Sequence, residues 1–277
     1  MSCHPIKFIA ADMDGTLLNE QGELDPEFFA TYQKLTEQNI MFAAASGRQY
    51  YSLIKTFSAI KDDIMFIAEN GTLVMHQGKE LYSCTINKAA IDEIIIEARL
   101  IDGAHIVLCG KKSAYIETVS ALAIKEIKKY YHHCQSVDDL LETEDEFIKV
   151  AICHFDGSES ELYSVINNKF GDSHKVVVSA KIWLDVMNSI ASKGAAIEYL
   201  QSKLGFSFEE TMSFGDYFND IEMLQASYYS YAMENAQQAV KHYARYQAPS
   251  NDNSGVLQVI NNYLQNHINK CTLNRIL

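Results

Sequence analysis

The chain has 277 residues, 48% apolar and 21% charged, a globular composition that excludes disorder or a fibrous repeat as the main state. Such a length holds one large domain or two ordinary ones. Its 23 Lys and Arg face 36 Asp and Glu, for a net charge of −13. That balance excludes a broadly cationic surface for nucleic acid or anionic lipid, so positive charge for any anionic ligand must be supplied locally.

Six cysteines stand at 3, 84, 109, 134, 153 and 271, with no Cys-x-x-Cys pair. This argues against a zinc knuckle or a thioredoxin motif, and scattered free thiols suit a reducing compartment. The apolar run near the start is too short for a signal-peptide core. No stretch approaches the roughly 18 apolar residues of a membrane span. The expectation is a soluble, cytoplasmic protein.

In chain order, residues 7–11 read as a short buried strand. Asp25-Pro26 reads as an N-cap with proline in the first helical turn, and Phe28, Phe29, Tyr32 and Leu35 give that helix one apolar face. A strand at 40–45, a helix at about 48–57 and a strand at 64–68 continue the alternation, which predicts a parallel sheet covered by helices. The rhythm then changes. Residues 72–75 and 80–84 flank His76-Gln77-Gly78-Lys79 as a hairpin. From there to 188 the reading is helix 88–101, strands 105–109 and 113–117, helix 120–132, strand 147–155, helix 158–170, and strands 174–179 and 181–187. Paired strands between helices predict an α+β insert with a partly antiparallel sheet. Alternation resumes with a helix at 193–204, a strand at 211–214, a helix from about 220, a strand near 230–233, and helices near 237–243 and 254–265. No internal repeat or low-complexity linker appears.

The most informative stretch is Phe8-Ile9-Ala10-Ala11-Asp12-Met13-Asp14-Gly15-Thr16-Leu17-Leu18. A buried strand runs into carboxylates at i and i+2, which point the same way in extended backbone. In an open α/β sheet the carboxyl end of a strand is where ligands sit. Two adjacent carboxylates repel unless a cation joins them or one holds a proton. One can attack phosphorus, and the other can protonate a leaving oxygen and then take a proton from water. A pair of capping aspartates in a turn is the simpler alternative.

Asp12-Met13-Asp14-Gly15-Thr16 resembles the first motif of the haloacid dehalogenase superfamily of phosphohydrolases. Ser46-Gly47-Arg48 closes the second strand and resembles the second motif. The hydroxyl can donate to a phosphate oxygen, and the helix that begins there presents its positive end. Relatives of the Cof type more often carry Thr at the first of these positions; Ser keeps the donor. Ser192-Lys193-Gly194 opens a helix and resembles the third motif, a lysine at a helix start being unfavourable unless an anion is there to bind. Gly215-Asp216-Tyr217-Phe218-Asn219-Asp220 resembles the fourth, whose carboxylates can converge on one hard cation.

About 30 residues separate Asp14 from Ser46, and about 145 separate Arg48 from Lys193. Only the second gap accommodates a cap. This layout resembles subclass IIB, the Cof-type phosphatases, and Glu69-Asn70-Gly71 is similar to a turn common in that group. The resemblance implies a Rossmann-like parallel-sheet α/β core at 1–83 and 189–277, with an inserted α+β cap at 84–188 that chooses the substrate. It implies Asp12 as nucleophile and Mg²⁺ ligand, and Asp14 as general acid/base with its carbonyl on the metal. Asp216 would bind Mg²⁺ directly, and Asp220 directly or through water. Ser46, Gly47, Lys193 and Asn219 would hold phosphoryl oxygens. Arg48 would face the substrate or bridge to the cap, and Asn70 would lie near the site or serve a purely structural turn.

The implied activity is Mg²⁺-dependent hydrolysis of small phosphorylated metabolites, sugar or cofactor phosphates, through an aspartyl-phosphate. The protein would be a monomer or weak homo-oligomer without nucleic-acid or membrane partners. A phosphomutase is one alternative and would retain its phosphoryl group against water. A non-catalytic sugar-phosphate sensor is another and would bind without turnover. Four residue groups stay outside the site. His132 and His133 are neighbours on an expected helix and diverge by about 100°. Trp183, Cys109 and Cys153 read as core, and Tyr228, Tyr229 and Tyr231 as packing.

Overall fold

The computed structural model describes residues 5–273, with side chains to residue 266. Cys3 and the side chain of Cys271 lie outside these limits. Cys84, Cys109, Cys134 and Cys153 are free thiols.

In chain order the elements are β1 (Phe8–Asp12), α1 (Glu27–Glu37), β2 (Met41–Ala45), α2 (Tyr50–Thr56), β3 (Met65–Ala68), β4 (Leu73–His76), β5 (Lys79–Ser83), α3 (Lys88–Arg99), β6 (His105–Gly110), β7 (Ala114–Ile116), α4 (Ala121–Ile127) and β8 (Cys134–Ser136). There follow β9 (Phe147–Cys153), α5 (Ser164–Phe170), β10 (His174–Ala180), β11 (Trp183–Asn188), α6 (Lys193–Leu204), β12 (Thr211–Gly215), α7 (Ile221–Gln225), β13 (Tyr229–Met233), α8 (Gln238–Lys241), β14 (Tyr246–Ala248) and α9 (Gly255–Leu273).

The chain divides into two compact units. The first takes in the described residues up to Ser46, then Ile60–Phe66, and the described residues from Ser192 onward; the second takes in Gly47–Ala59 and Ile67–Ala191. In the first, β14, β13, β12, β1 and β2 lie side by side in that order, all parallel. β1 is buried along its whole length, which explains why it reads as an unbroken apolar run rather than an alternation. In α1, Phe28, Thr31, Tyr32 and Leu35 are the buried stripe, whereas Phe29, expected on that face, is exposed because it sits one residue round the helix from Phe28. Asp25 Oδ1 accepts the N–H of Glu27 at 2.8 Å, the expected cap. Tyr231 stacks between Phe214 and Tyr246, with ring centroids 5.1 Å away on each side, so the tyrosine cluster is packing.

The second unit holds the β4–β5 hairpin and a six-stranded sheet in the order β10-β11-β9-β6-β7-β8. Its pairings are antiparallel except β7 with β8. One face packs Val150, Ile152, Leu184 and Val186 against Ile91, Ile94 and Ile95 of α3 and Ile166 of α5. The other packs Val107, Cys109, Ala151, Cys153 and Trp183 against Ala123 and Ile127 of α4. Trp183, Cys109 and Cys153 are therefore core, as their sequence setting suggests.

Some expected elements differ. β8 and β14, each three residues long at the edge of a sheet, were not anticipated. α4 ends at Ile127, so His132 and His133 lie beyond it rather than on a helix. His133 Nδ1 is 2.7 Å from Lys112 O, and its ring is 4.7 Å from that of Tyr51. The helix expected from 158 opens as a wide turn at Glu159–Tyr163 before α5. Among the described residues no helix is long and apolar enough to cross a membrane.

Candidate active site

From β1 the chain crosses to β2 on one side, and β12, β13 and β14 extend the sheet on the other. The carboxyl ends of β1 and β12 thus meet at a switch point, where open α/β sheets leave a crevice. Register sets the neighbours. Ala11 pairs with Phe214, which puts Asp12 level with the end of β12 and close to Asp216. Asp12 pairs with Ala45, so Ser46 follows directly beside it.

Lys193 enters from the first turn of α6, whose cap is Ser192 Oγ accepting the N–H of Ala195 at 2.9 Å. The lysine is fully buried. Its Nζ donates to Asp12 Oδ1 and, at 2.6 Å, to Asp220 Oδ1. Asp220 Oδ2 accepts the backbone N–H groups of Asp216 at 3.0 Å and Tyr217 at 3.1 Å. Thr16 Oγ1 donates to Asp216 Oδ1 at 2.8 Å. Gly15 has φ +78°, and a Cβ on it would come within 2.5 Å of Asp216 Oδ2. Both conformation and close approach therefore require glycine there.

One carboxylate oxygen from each of Asp12, Asp216 and Asp220 lies within 4.8 Å of the others. Burial, then the Asp220 charge, pushes the Asp12 carboxyl well above the ordinary range, against the pull of Lys193. Burial pushes Asp216 up to about 6, against its hydrogen bond from Thr16. Burial alone would lower the Lys193 pKa, but Asp12 and Asp220 outweigh it and hold the ammonium above its usual range. Three crowded carboxylates facing one ammonium present hard oxygen donors to a divalent cation, and such a cation would relieve their repulsion. The donor set fits Mg²⁺.

The remaining site candidates of the first unit lie nearby in the chain. Asp14 is exposed just past β1, whereas Asp12 is buried. Ser46 is buried at the end of β2, and Asn219 is half-buried in the turn Phe218–Asp220. In the second unit Gly47 and Arg48 are half-buried. Asn70 is buried, and its Oδ1 stands 3.0 Å from where a Cβ on Gly47 would be. Gly47 thus leaves room for the Asn70 amide, a contact that joins two segments the sequence reading treated separately.

Sequence reading missed two asparagines that hold the loop after β1. Asn235 Nδ2 donates to Gly15 O at 2.7 Å. Asn251 Nδ2 donates to Leu18 O at 2.9 Å, and its N–H donates to Asn235 Oδ1 at 3.1 Å.

A parallel sheet with an aspartate at the switch point, a helix-borne lysine on it and paired aspartates after the next strand define a hydrolase of the haloacid dehalogenase type. The model of the haloacid dehalogenase-like hydrolase family matches residues 9–260, and the chain belongs to that family. It is 37% identical over 262 residues to the 5-amino-6-(5-phospho-D-ribitylamino)uracil phosphatase YbjI of Escherichia coli, covering 94% of this chain and 97% of that protein. It is 29% identical over 221 residues to an HMP-PP phosphatase of Citrobacter koseri, covering 79% of this chain and 81% of the relative. A crystal structure from Streptococcus mutans superposes with TM-score 0.85 at 32% identity, over 94% of this chain and 99% of the other.

Proposed function

We propose that the protein is a Mg²⁺-dependent phosphatase that hydrolyses a small phosphorylated metabolite through an aspartyl-phosphate on Asp12. The single observation that carries this reading is the buried Lys193 ammonium held on Asp12 and Asp220 at the switch point. The nucleophile must be ionised to attack, and Lys193 opposes the burial that favours its protonated form.

In the proposed reaction an Asp12 oxygen forms a bond to phosphorus as the ester oxygen leaves. Asp14 gives that oxygen a proton. Water then attacks phosphorus, Asp14 takes its proton, and cleavage of the Asp12–phosphorus bond releases inorganic phosphate. The exposure of Asp14 and the burial of Asp12 suit these separate roles. Asp12 and Asp216, with the Asp14 carbonyl, would hold Mg²⁺. Both Asp220 oxygens are committed to Lys193 and to the 216–217 amides, so Asp220 would support the metal indirectly. When bound, Mg²⁺ would neutralise charge on the phosphoryl oxygens. Ser46, Gly47, Lys193 and Asn219 would hold those oxygens, Arg48 would face the substrate, and residues 84–188 would choose the leaving group.

The substrate class is a phosphomonoester of a sugar, polyol or cofactor precursor. The Escherichia coli relative, whose name specifies a phosphorylated ribitylaminouracil, supports placing that compound first in a test. Purified protein with Mg²⁺ should release inorganic phosphate from at least one member of such a panel. Calorimetric binding of a panel member with no phosphate released would defeat the reading in favour of a sensor, and transfer to a second hydroxyl would defeat it in favour of a mutase.

A further inference from the structure

Lys149, Glu69 and Asp185 form a buried ionic cluster within the second unit, at 1%, 2% and 4% exposure. Lys149 is a single charge in the apolar strand β9. Its Nζ lies 2.5 Å from Glu69 Oε2 and 3.4 Å from Asp185 Oδ2. Burial raises the Glu69 carboxyl above its ordinary range, against the pull of Lys149. The Tyr131 ring centroid is 5.6 Å from the ammonium. Burial would lower the Lys149 pKa, but Asp185 and Glu69 outweigh it, and the lysine stays charged.

Stability alone gives little reason for such a cluster, because well-packed apolar residues commonly do as well or better than buried ion pairs. The backbone beside it is also unfavourable. Glu69 has φ 49°, Asn70 φ 58° and Gly71 φ 89°, so two residues with side chains sit in succession in the left-handed region. Strain of this kind persists where the surroundings over-determine it, and it gathers at functional sites.

The cluster reaches one turn by two routes. Asn70 Nδ2 donates to Asp185 Oδ2 at 3.3 Å, while Asn70 Oδ1 abuts Gly47. The N–H of Glu69 donates to the carbonyl of Arg48 at 3.1 Å. The side chain of Asn70 and the backbone of Glu69 thus both bear on Gly47-Arg48, the residues that follow Ser46.

We propose that Lys149, acting with Glu69 and Asp185, is a positioning residue for the phosphate-binding turn: it locks Asn70 against Gly47 and fixes the Gly47–Arg48 backbone to receive an oxyanion. The proposal deepens the phosphatase reading and rests on it for the nature of the anion.

The test is the affinity for inorganic phosphate, measured by calorimetry in Mg²⁺, beside kcat and KM for para-nitrophenyl phosphate. Asn70→Ala and Lys149→Met should each weaken phosphate binding on the order of tenfold, and the double variant should be no weaker than the weaker single one. Asp185→Asn keeps an oxygen acceptor for Asn70 and should bind within about threefold of the parent, while Asp185→Ala should fall with the others. The Asp185 pair reports the same link without stranding two buried carboxylates, should Lys149→Met fail to fold. A folded Lys149→Met with unchanged phosphate affinity would overturn the proposal. So would losses that multiply in the double variant, or Asp185→Asn binding no better than Asp185→Ala. Phosphate affinity is read without turnover, so a protein that binds phosphate but cleaves no ester would sink the phosphatase reading while this comparison still decides.

Discussion

Lys193 and Asp220 are joined at 2.6 Å with both side chains wholly buried. Because the same ammonium also grips Asp12, one lysine ties the end of β1 to the turn after β12. Replacing it leaves Asp12, Asp216 and Asp220 facing one another without compensation. Lys193→Met should lower stability by about 3–5 kcal/mol, as removal of one partner of a buried pair does. Added Mg²⁺ should recover part of the loss by supplying positive charge. Thermal melts with and without Mg²⁺ check this; an unchanged melting temperature in the metal-free variant would contradict the buried pairing.

The proposed nucleophile makes a separate prediction. Asp12→Asn keeps shape and can still accept from Lys193, so the fold should survive. An amide cannot form the acyl-phosphate, and turnover should fall at least ~10³-fold. Retention of more than a tenth of the parent activity would rule out an aspartyl-phosphate at this position.

The metal prediction turns on Asp216, whose carboxyl is pushed up to about 6 from 3.8 by burial first. A carboxyl with a raised folded pKa holds its proton more tightly folded than unfolded. Its contribution to the stability of metal-free protein is therefore greatest at low pH and is lost as pH rises through about 4 to 6. A bound cation replaces that proton, so the gain in melting temperature from Mg²⁺ should grow across the same window. At tenfold over Kd and about pH 7.5 the gain should be about 1.4 kcal/mol. Asp216→Asn should reduce the dependence, leaving the part contributed by Asp12, whose carboxyl burial also pushes up. A Mg²⁺ gain equal at about pH 5 and pH 7.5 would be inconsistent with direct coordination by Asp216.

The elements around Asp12, Ser46, Lys193 and Asp216 were legible because each residue follows or precedes a local pattern, an apolar strand run or a helix start. The switch point needed only their order along the chain. The Lys149 cluster was not read, although it left a trace. Lys149 and Asp185 are lone charges within the apolar strands Phe147–Cys153 and Trp183–Asn188, and a lone charge in a buried strand requires a partner. Nothing local says which partner, since Asn70 and Asp185 are 115 positions apart. β8 and β14 escaped for a different reason. Three-residue edge strands such as Tyr246–Ala248, largely exposed, owe their form to the neighbouring strand rather than to a hydrophobic period.

Asn235 and Asn251 give the last prediction. The loop after β1 carries Asp14, and the general acid/base role proposed for it needs that carboxyl held relative to Asp12. Two carbonyls of this loop, those of Gly15 and Leu18, are fixed by side chains 220 and 233 positions away. The Asn235 side chain also accepts the backbone N–H of Asn251 at 3.1 Å, so Asn235 links both attachments. Removing either amide loses a hydrogen bond to a loop carbonyl, which should cost about 1 kcal/mol of stability. The effect on rate should be larger than that on binding, because in the proposed mechanism proton transfer depends on the placement of Asp14 while other residues hold the phosphoryl oxygens. Asn235→Ala should therefore lower kcat about tenfold with KM changed less than about threefold, and Asn251→Ala, which keeps its backbone N–H and loses only the bond to Leu18, should lower kcat less. Steady-state kinetics on an alkyl phosphate, whose leaving oxygen needs a proton, is the sensitive measurement. An activated aryl phosphate leaves without one, so its first step should be much less affected. If both esters lost the same factor, or if KM alone rose, the two asparagines would serve the fold or the binding of phosphate rather than the placement of Asp14.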